Sequence, residues 1–201
     1  MKLLIATRNR HKWREISEIF HLPSVEMVDV DDCPPLPEVE EDGLTFQANA
    51  VKKAVTLALA SGLWTLADDS GLEIDALGGA PGVYSARYAG EPVDYAANNR
   101  KVLAELAGVA NRRARFRCAI ALSDPAGRHW TVEGKCEGGI IEEPRGTQGF
   151  GYDPIFVPDG HTQTFAEMES AVKHGLSHRG AALKLARDAW AELLAAAARR
   201  A

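Results

Sequence analysis

Apolar residues arrive along this chain in short bursts separated by polar loops. Lys2-Leu-Leu-Ile-Ala6 predicts a first strand, ended by the polar run Thr7 to Lys12. Trp13, Ile16, Ile19 and Phe20 then recur at three- and four-residue spacing, with Arg14, Glu15 and Glu18 between them, which is the pattern of an amphipathic helix. Val25 to Val30 predicts a second strand, and Cys33-Pro-Pro-Leu-Pro37 breaks regular structure before the acidic run Glu38 to Asp42. Phe46, Ala50, Val51, Ala54, Val55 and Ala58 mark a second, longer helix.

Leu63 to Ala67 predicts a third strand, ending in Asp68-Asp-Ser-Gly71, a turn-type sequence, before Leu72 to Leu77 resumes an extended pattern. A glycine-rich loop, Gly78-Gly-Ala-Pro-Gly82, comes next, then a helix over 94–107. Arg115 to Leu122 and His129 to Ile141 predict long strands joined near Pro125 and Gly127, and Gly146 to Pro158 a loop entering a short strand. Ala181 to Arg200 is an alanine-rich helix with arginines at its C-terminal end, where cations suit the helix dipole. Early strand–helix alternation followed by a hairpin predicts an α/β fold with a mixed sheet rather than a purely parallel one. At 201 residues the chain has the length of about one domain with room for two lobes, and no linker marks a boundary inside 1–201.

Composition narrows the class. Apolar residues at 46% and charged residues at 25% match an ordinary globular protein and exclude disorder and coiled-coil arrays. The longest uncharged stretch of the first third, Ala54 to Ala67, is too short and too polar at Thr56, Ser61 and Gly62 to span a bilayer. Leu3 to Ala6 is too short for a signal peptide, so a cytoplasmic location is expected, with no membrane partner. Cys33, Cys118 and Cys136 form no CxxC pair, so reduced, mostly buried thiols are expected. A net charge of −5 disfavours nucleic acid as a partner but leaves room for a small anion held by local cations.

Four polar segments interrupt the framework with complementary charge. Thr7-Arg-Asn-Arg-His-Lys12 lies between a strand end and a helix start, where unpaired backbone N–H groups attract oxyanions, although Thr7 or Asn9 could equally serve only as a helix cap. Glu38, Glu40, Glu41 and Asp42 form one acidic group and Asp68 with Asp69 a second. Carboxylates from two loops commonly hold magnesium beside substrate phosphates, and a neighbouring carboxylate can take a proton from attacking water. The same acids could instead favour a helix N-terminus and a tight turn. Gly149-Phe-Gly-Tyr-Asp-Pro154 lets backbone approach a ligand while Phe150 or Tyr152 offers a stacking face, and Lys173 to Arg179 lies downstream with donors suited to a base edge. A buried core aromatic is the competing account of that segment. Composition and spacing alone stop at a magnesium-dependent enzyme acting on a nucleotide.

At these same residues the chain closely resembles the Ham1/RdgB family of inosine triphosphate pyrophosphatases, or XTP/dITP diphosphatases. Thr7-x-Asn-x-x-Lys12 fits the family's opening pattern, and Ala67-Asp-Asp-Ser-Gly-Leu72 with Gly78 to Arg87 its central signature. Gly149-Phe-Gly-Tyr-Asp-Pro154 and Ser177-His-Arg179 fit the last two, all in the right order. The resemblance implies an elongated, two-lobed α/β fold in which a long twisted mixed sheet is flanked by helices and the active site lies in the cleft between lobes. It implies hydrolysis of ITP, dITP and XTP to the monophosphate and pyrophosphate, with Mg2+ as cofactor and a homodimer as the assembly. Glu40 and Asp69 would bind the metal and Asp69 would be the catalytic base, with Glu41, Lys53 and Asp68 as neighbours. Thr7, Arg8, Asn9, Arg10, His11 and Lys12 would hold the triphosphate, and Ser70 would touch substrate. Phe150, Gly151, Tyr152 and Asp153 would frame base and sugar, while Lys173, His178 and Arg179 would close the pocket. Arg179 or His178 facing the six-carbonyl of a deaminated purine would select against adenine, which carries an amino group there. A related Maf-like pyrophosphatase of pyrimidine or modified nucleotides, or a nucleotide-binding module without turnover, are the alternatives.

Overall fold

The computed structural model describes residues 1–200. Strand β1 (Lys2–Ile5) buries Leu3, Leu4 and Ile5 almost completely, the continuous apolar run of a strand covered on both faces. It pairs in parallel with β2 (Glu26–Asp29) on one side and with β3 (Trp64–Ile74) on the other. Beyond β3 follow β4 (Arg113–Ser123), β5 (His129–Ile140) and, antiparallel to β5, the short β6 (Phe156–Pro158), in the sheet order β2-β1-β3-β4-β5-β6. The mixed sheet and its helices bear out the α/β expectation.

The chain divides into two compact units. The first comprises Met1–Asp69, Cys118–Gly134 and the segment from Arg179 onward; the second comprises Ser70–Arg117 and Lys135–His178. In the first unit, helix α1 (Arg10–Ile19) and the C-terminal helix α5 (His178–Ala198) supply Ile16, Phe20, Ala182, Leu183, Ala186, Trp190 and Leu194 to a core completed by Leu3, Ile5, Leu66, Ile120 and Leu122. Helix α2 (Phe46–Ser61) also belongs to this unit: the Thr45 hydroxyl accepts from the Ala48 N–H at its start, and Gly62 at φ +69 ends it. In the second unit, helix α3 (Tyr95–Glu105) contributes Val102, packed in a core with Leu72, Ile74, Phe116, Ile140, Tyr152, Phe156 and Phe165.

Two sequence expectations change. Asp68-Asp-Ser-Gly71 is no turn: it runs straight through the eleven-residue β3. Turn propensity is overridden because both carboxylates are buried and partnered instead of solvated. Glu15, expected among the solvent-facing residues of α1, is buried beside Ile16. Helix α4 (Ser170–Leu176) has no apolar period long enough to announce it. Cys118 and Cys136 are free and buried, and Cys33 is free and half-buried. Among the described residues no helix is long and apolar enough to cross a membrane.

Candidate active site

The first unit gathers its charges where β1 gives way to α1, next to the middle of β3. Asn9 caps α1, its side-chain oxygen accepting from the N–H groups of His11 and Lys12, so the capping role open in the sequence is real. Thr7 Oγ1 accepts from the Asn9 N–H. One turn into the helix, the Lys12 ammonium lies 3.2 Å from Asp68. Burial opposes its charge, but Asp68, with Asp69 and Glu41 further off, raises its pKa above the ordinary lysine value. Asp68 is itself buried, yet Lys12, Arg179 and Lys53 hold its carboxyl well below the usual range.

Asp69, the next residue along β3, is set differently. Burial raises it to about 6, and the negative charge of Glu41 adds to the rise, while Lys53, Lys12 and the Asn49 amide oppose it. Asn49 Nδ2 donates to Asp69 Oδ2 at 3.0 Å, and Lys53, four residues later on the same face of α2, donates to the Asp68 carbonyl at 2.6 Å. The Lys53 ammonium also pairs with Glu41 at 3.0 Å. Burial disfavours the Glu41 carboxylate, but Lys53 and Lys12 outweigh it, and a hydrogen bond with Asp69 adds to their effect, so it titrates below the ordinary glutamate range. Two carboxyl groups thus meet, one held ionised and its neighbour poised near neutrality.

It is Glu41 that the structure brings to Asp69; Glu40, the expected metal ligand, points into solvent. Arg179 also meets buried carboxylates. The residue is only 1% exposed, and its guanidinium grips Asp68 through Nε at 3.2 Å and Nη2 at 2.9 Å, while Nη1 bonds Glu15. A planar fork held on three of its nitrogens by two buried carboxylates is oriented by them rather than by a base edge. Arg10 also turns away from its expected role, pairing with Asp29 at 2.6 Å and Asp31 at 2.8 Å. Arg8 and His11 are exposed. Among the described residues no group of three or more His, Cys, Asp or Glu side chains is arranged to hold a metal ion.

In the second unit the loop from Gly149 to Asp153 is drawn tight around one carboxylate. Asp153 Oδ2 accepts from the Phe150 N–H at 2.8 Å and from the Lys173 ammonium at 2.6 Å. Gly149 has φ +72, and a Cβ there would stand 2.0 Å from that same oxygen, so only glycine allows the closure. Lys173, buried on α4, places its ammonium 5.3 Å from the Phe150 ring centroid. Tyr152 is a core residue, its hydroxyl donating to the Ser85 carbonyl, so of the two aromatic rings only Phe150 remains as a stacking face. His178 is buried and lies parallel to Phe116 at a centroid distance of 4.6 Å. Ser70 is half-buried on β3.

The Ham1 family model matches residues 3–189 of this chain. The chain belongs to the Ham1 family. A dITP/XTP pyrophosphatase of Desulforamulus reducens is 53% identical over 190 residues, covering 94% of this chain and 94% of its own. One of Geobacter sulfurreducens is 50% identical over 189 residues, covering 93% and 95%. Among solved structures, the HAM1 protein of Coxiella burnetii superposes with a TM-score of 0.88 at 39% identity, covering 96% of this chain and 99% of its own. A nucleoside-triphosphatase/dITP/XTP pyrophosphatase of Mycobacterium abscessus does so with a TM-score of 0.77 at 45% identity, covering 92% and 98%.

Set in a Ham1 chain, Lys53, which the resemblance already named as a neighbour, shares one signal with Asn49 and Glu15, which sequence reasoning passed over. Asn49 and Lys53 interrupt the apolar period of α2 formed by Ala50, Ala54 and Leu57, and Glu15 interrupts that of α1 beside Ile16. A polar residue on the buried face of a helix needs a partner, and the partners here are the β3 aspartates and Arg179. Asn99, buried on α3, donates to the Gly151 carbonyl and was visible in no motif string.

Proposed function

We propose that this chain is a nucleoside triphosphate pyrophosphatase that cleaves the bond between the α and β phosphates of dITP, XTP and ITP, releasing the monophosphate and pyrophosphate. The observation that carries the reading is Asp69: a buried carboxyl raised to about 6, beside an ionised Glu41 and within the field of Lys12 and Lys53. At neutral pH it is mostly ionised, yet more basic than an ordinary aspartate, which suits a group that removes a proton from attacking water. The names of the relatives at about 50% identity and near-complete coverage point to the same reaction.

Water adds to phosphorus, its proton passes to Asp69, and the bridging P–O bond breaks with its electrons leaving on pyrophosphate. Lys12 and the N–H groups at the start of α1 carry charge suited to the polyphosphate, with Thr7 and Asn9 shaping that turn. Glu41 and Asp69 fit a divalent cation: the negative charge of Glu41 disfavours ionisation of Asp69, and an ion between the two carboxyls would relieve that. With no metal-holding group of three acids among the described residues, such an ion would complete its shell from substrate oxygens and water, the habit of magnesium. When bound, it would neutralise charge on the phosphoryl oxygens.

For the base, Phe150 supplies a ring face, Lys173 and Asp153 hold the loop, and His178 is the donor assigned to the six-carbonyl, since Arg179 is committed to Asp68 and Glu15. Residues 1–201 act as one catalytic domain. The reading extends to a homodimer working in the cytoplasm, without nucleic acid as a partner, in keeping with the net charge of −5.

The test is product analysis with magnesium and a panel of dITP, XTP, ITP, GTP, ATP and modified pyrimidine triphosphates. Pyrophosphate released preferentially from dITP, XTP and ITP is the expected result. Orthophosphate as the product, or preference for a pyrimidine, would overturn the assignment.

A further inference from the structure

Helix α3 meets two consecutive residues of the 149–153 loop with two side chains one turn apart. Asn99 Nδ2 donates to the Gly151 carbonyl at 3.1 Å, and the Tyr95 ring lies 6.0 Å from that of Phe150, tilted by 54°. Residues at i and i+4 share one face of a helix, so both contacts come from the same stripe of α3. Asn99 is only 7% exposed, and its Nδ2 is pinned by the Gly151 carbonyl acceptor, which leaves Oδ1 buried without a hydrogen-bond partner. Gly151 sits at φ +64 with nothing within 4 Å of where a Cβ would project, so side-chain packing does not hold this glycine on that side.

The stripe is itself fixed from behind. Asn98 Oδ1 accepts from the Ala89 N–H at 2.7 Å and its Nδ2 donates to the Ala86 carbonyl at 2.9 Å, tying α3 to the segment whose Ser85 carbonyl receives the Tyr152 hydroxyl. The loop is therefore gripped at Phe150, Gly151, Tyr152 and Asp153 in turn.

We infer that Asn99 and Tyr95 are positioning residues for the nucleobase, acting through Gly151 and Phe150 to set the angle of the stacking face. This rests on the assignment of the 149–153 loop as the base site. Neither residue is given a contact with phosphate, so the pair governs base affinity and not the hydrolytic step. Asn99→Leu removes the donor at similar size; Asn99→Asp keeps the shape but turns carboxylate oxygen toward a carbonyl, so it should be the more damaging. Tyr95→Leu tests the ring contact independently should the Asn99 variants fold poorly.

The experiment measures binding of dIMP and of pyrophosphate separately by calorimetry, alongside steady-state hydrolysis of dITP. For Asn99→Leu, loss of one hydrogen bond predicts dIMP binding and KM for dITP weakened by about fivefold, with kcat within about twofold and pyrophosphate affinity unchanged. Weakening of pyrophosphate in equal measure would mark a merely structural residue and overturn the inference, as would unaltered dIMP binding in both Asn99→Asp and Tyr95→Leu. If the unmodified chain binds dIMP but releases no pyrophosphate from dITP, the proposed activity fails while the binding comparison still decides the positioning role. If it binds no dIMP, both fall.

Discussion

The guanidinium of Arg179 offers the most discriminating perturbation, because two readings of it predict different losses. Its side chain is 2% exposed, that of Asp68 is fully buried, and that of Glu15 is 10% exposed, so the three form an ionic group almost without water. Arg179→Met keeps the length of the side chain but removes the charge. Removing one partner of a buried ion pair costs about 3–5 kcal/mol, because the remaining charges stay desolvated. Here Asp68 retains Lys12 at 3.2 Å and the Lys53 charge nearby, so the lower end, about 3 kcal/mol, is expected. For a chain of this length that is a fall in Tm of about 6–12 °C.

Urea unfolding of the single and double variants supplies the check. Glu15→Leu combined with Arg179→Met deletes a buried acid together with its partner, so the pair should lose clearly less than the sum of the singles, by about 1–3 kcal/mol of coupling. The m-value should stay constant, showing that folded compactness is unaltered. A stability loss below about 1 kcal/mol for Arg179→Met, together with a selective rise in KM for dITP over ATP, would refute the ionic account and return Arg179 to the base. Additive singles would show that Glu15 does not depend on Arg179.

Three further outcomes follow from the same geometry. Asp69→Asn preserves an oxygen for the Asn49 amide, so folding should survive while kcat for pyrophosphate release falls by about 10²–10⁴, measured by stopped assays of product. Chelation with EDTA should abolish activity and magnesium restore it; Glu41→Gln should raise the magnesium concentration needed, whereas Glu40→Gln should titrate like the unmodified chain. Asp124, in the turn between β4 and β5, is opposed by burial, but the Arg128 guanidinium and the N–H groups of Arg128 and Ala126 hold it below the ordinary aspartate value. A group depressed on folding stabilises above its unfolded pKa and loses that contribution as pH falls through the folded one. Asp124→Asn should therefore cost about 1–2 kcal/mol at pH 7 and progressively less as the solution is acidified below pH 4, read from urea midpoints against pH.

What the sequence discloses here depends on how far a residue's partners lie along the chain. Strand β1, helices α1 and α2, and the β4–β5 pair were legible because apolar spacing is a property of neighbouring residues, and the glycines at 149 and 151 because backbone closure is local too. The partners of Arg179, Asp68 and Glu15, are 111 and 164 positions away, and no local pattern shows that a motif arginine has buried carboxylate partners. Glu40 and Glu41 are indistinguishable in the sequence for a related reason: neighbouring acids in an irregular segment are equivalent until Lys53, fixed by the register of α2, pairs with one. The residues of the Asp68–Gly71 string favour a turn when read alone, and the buried partners Lys12, Arg179 and Asn49 make a strand tolerable there. In each case the clue lay on the partner and not on the motif. Glu15, Asn49, Lys53 and Asn99 all stand on helix faces that are otherwise buried, so tracing polar interruptions of the apolar period identifies the scaffold of a site even where signature strings name only its surface.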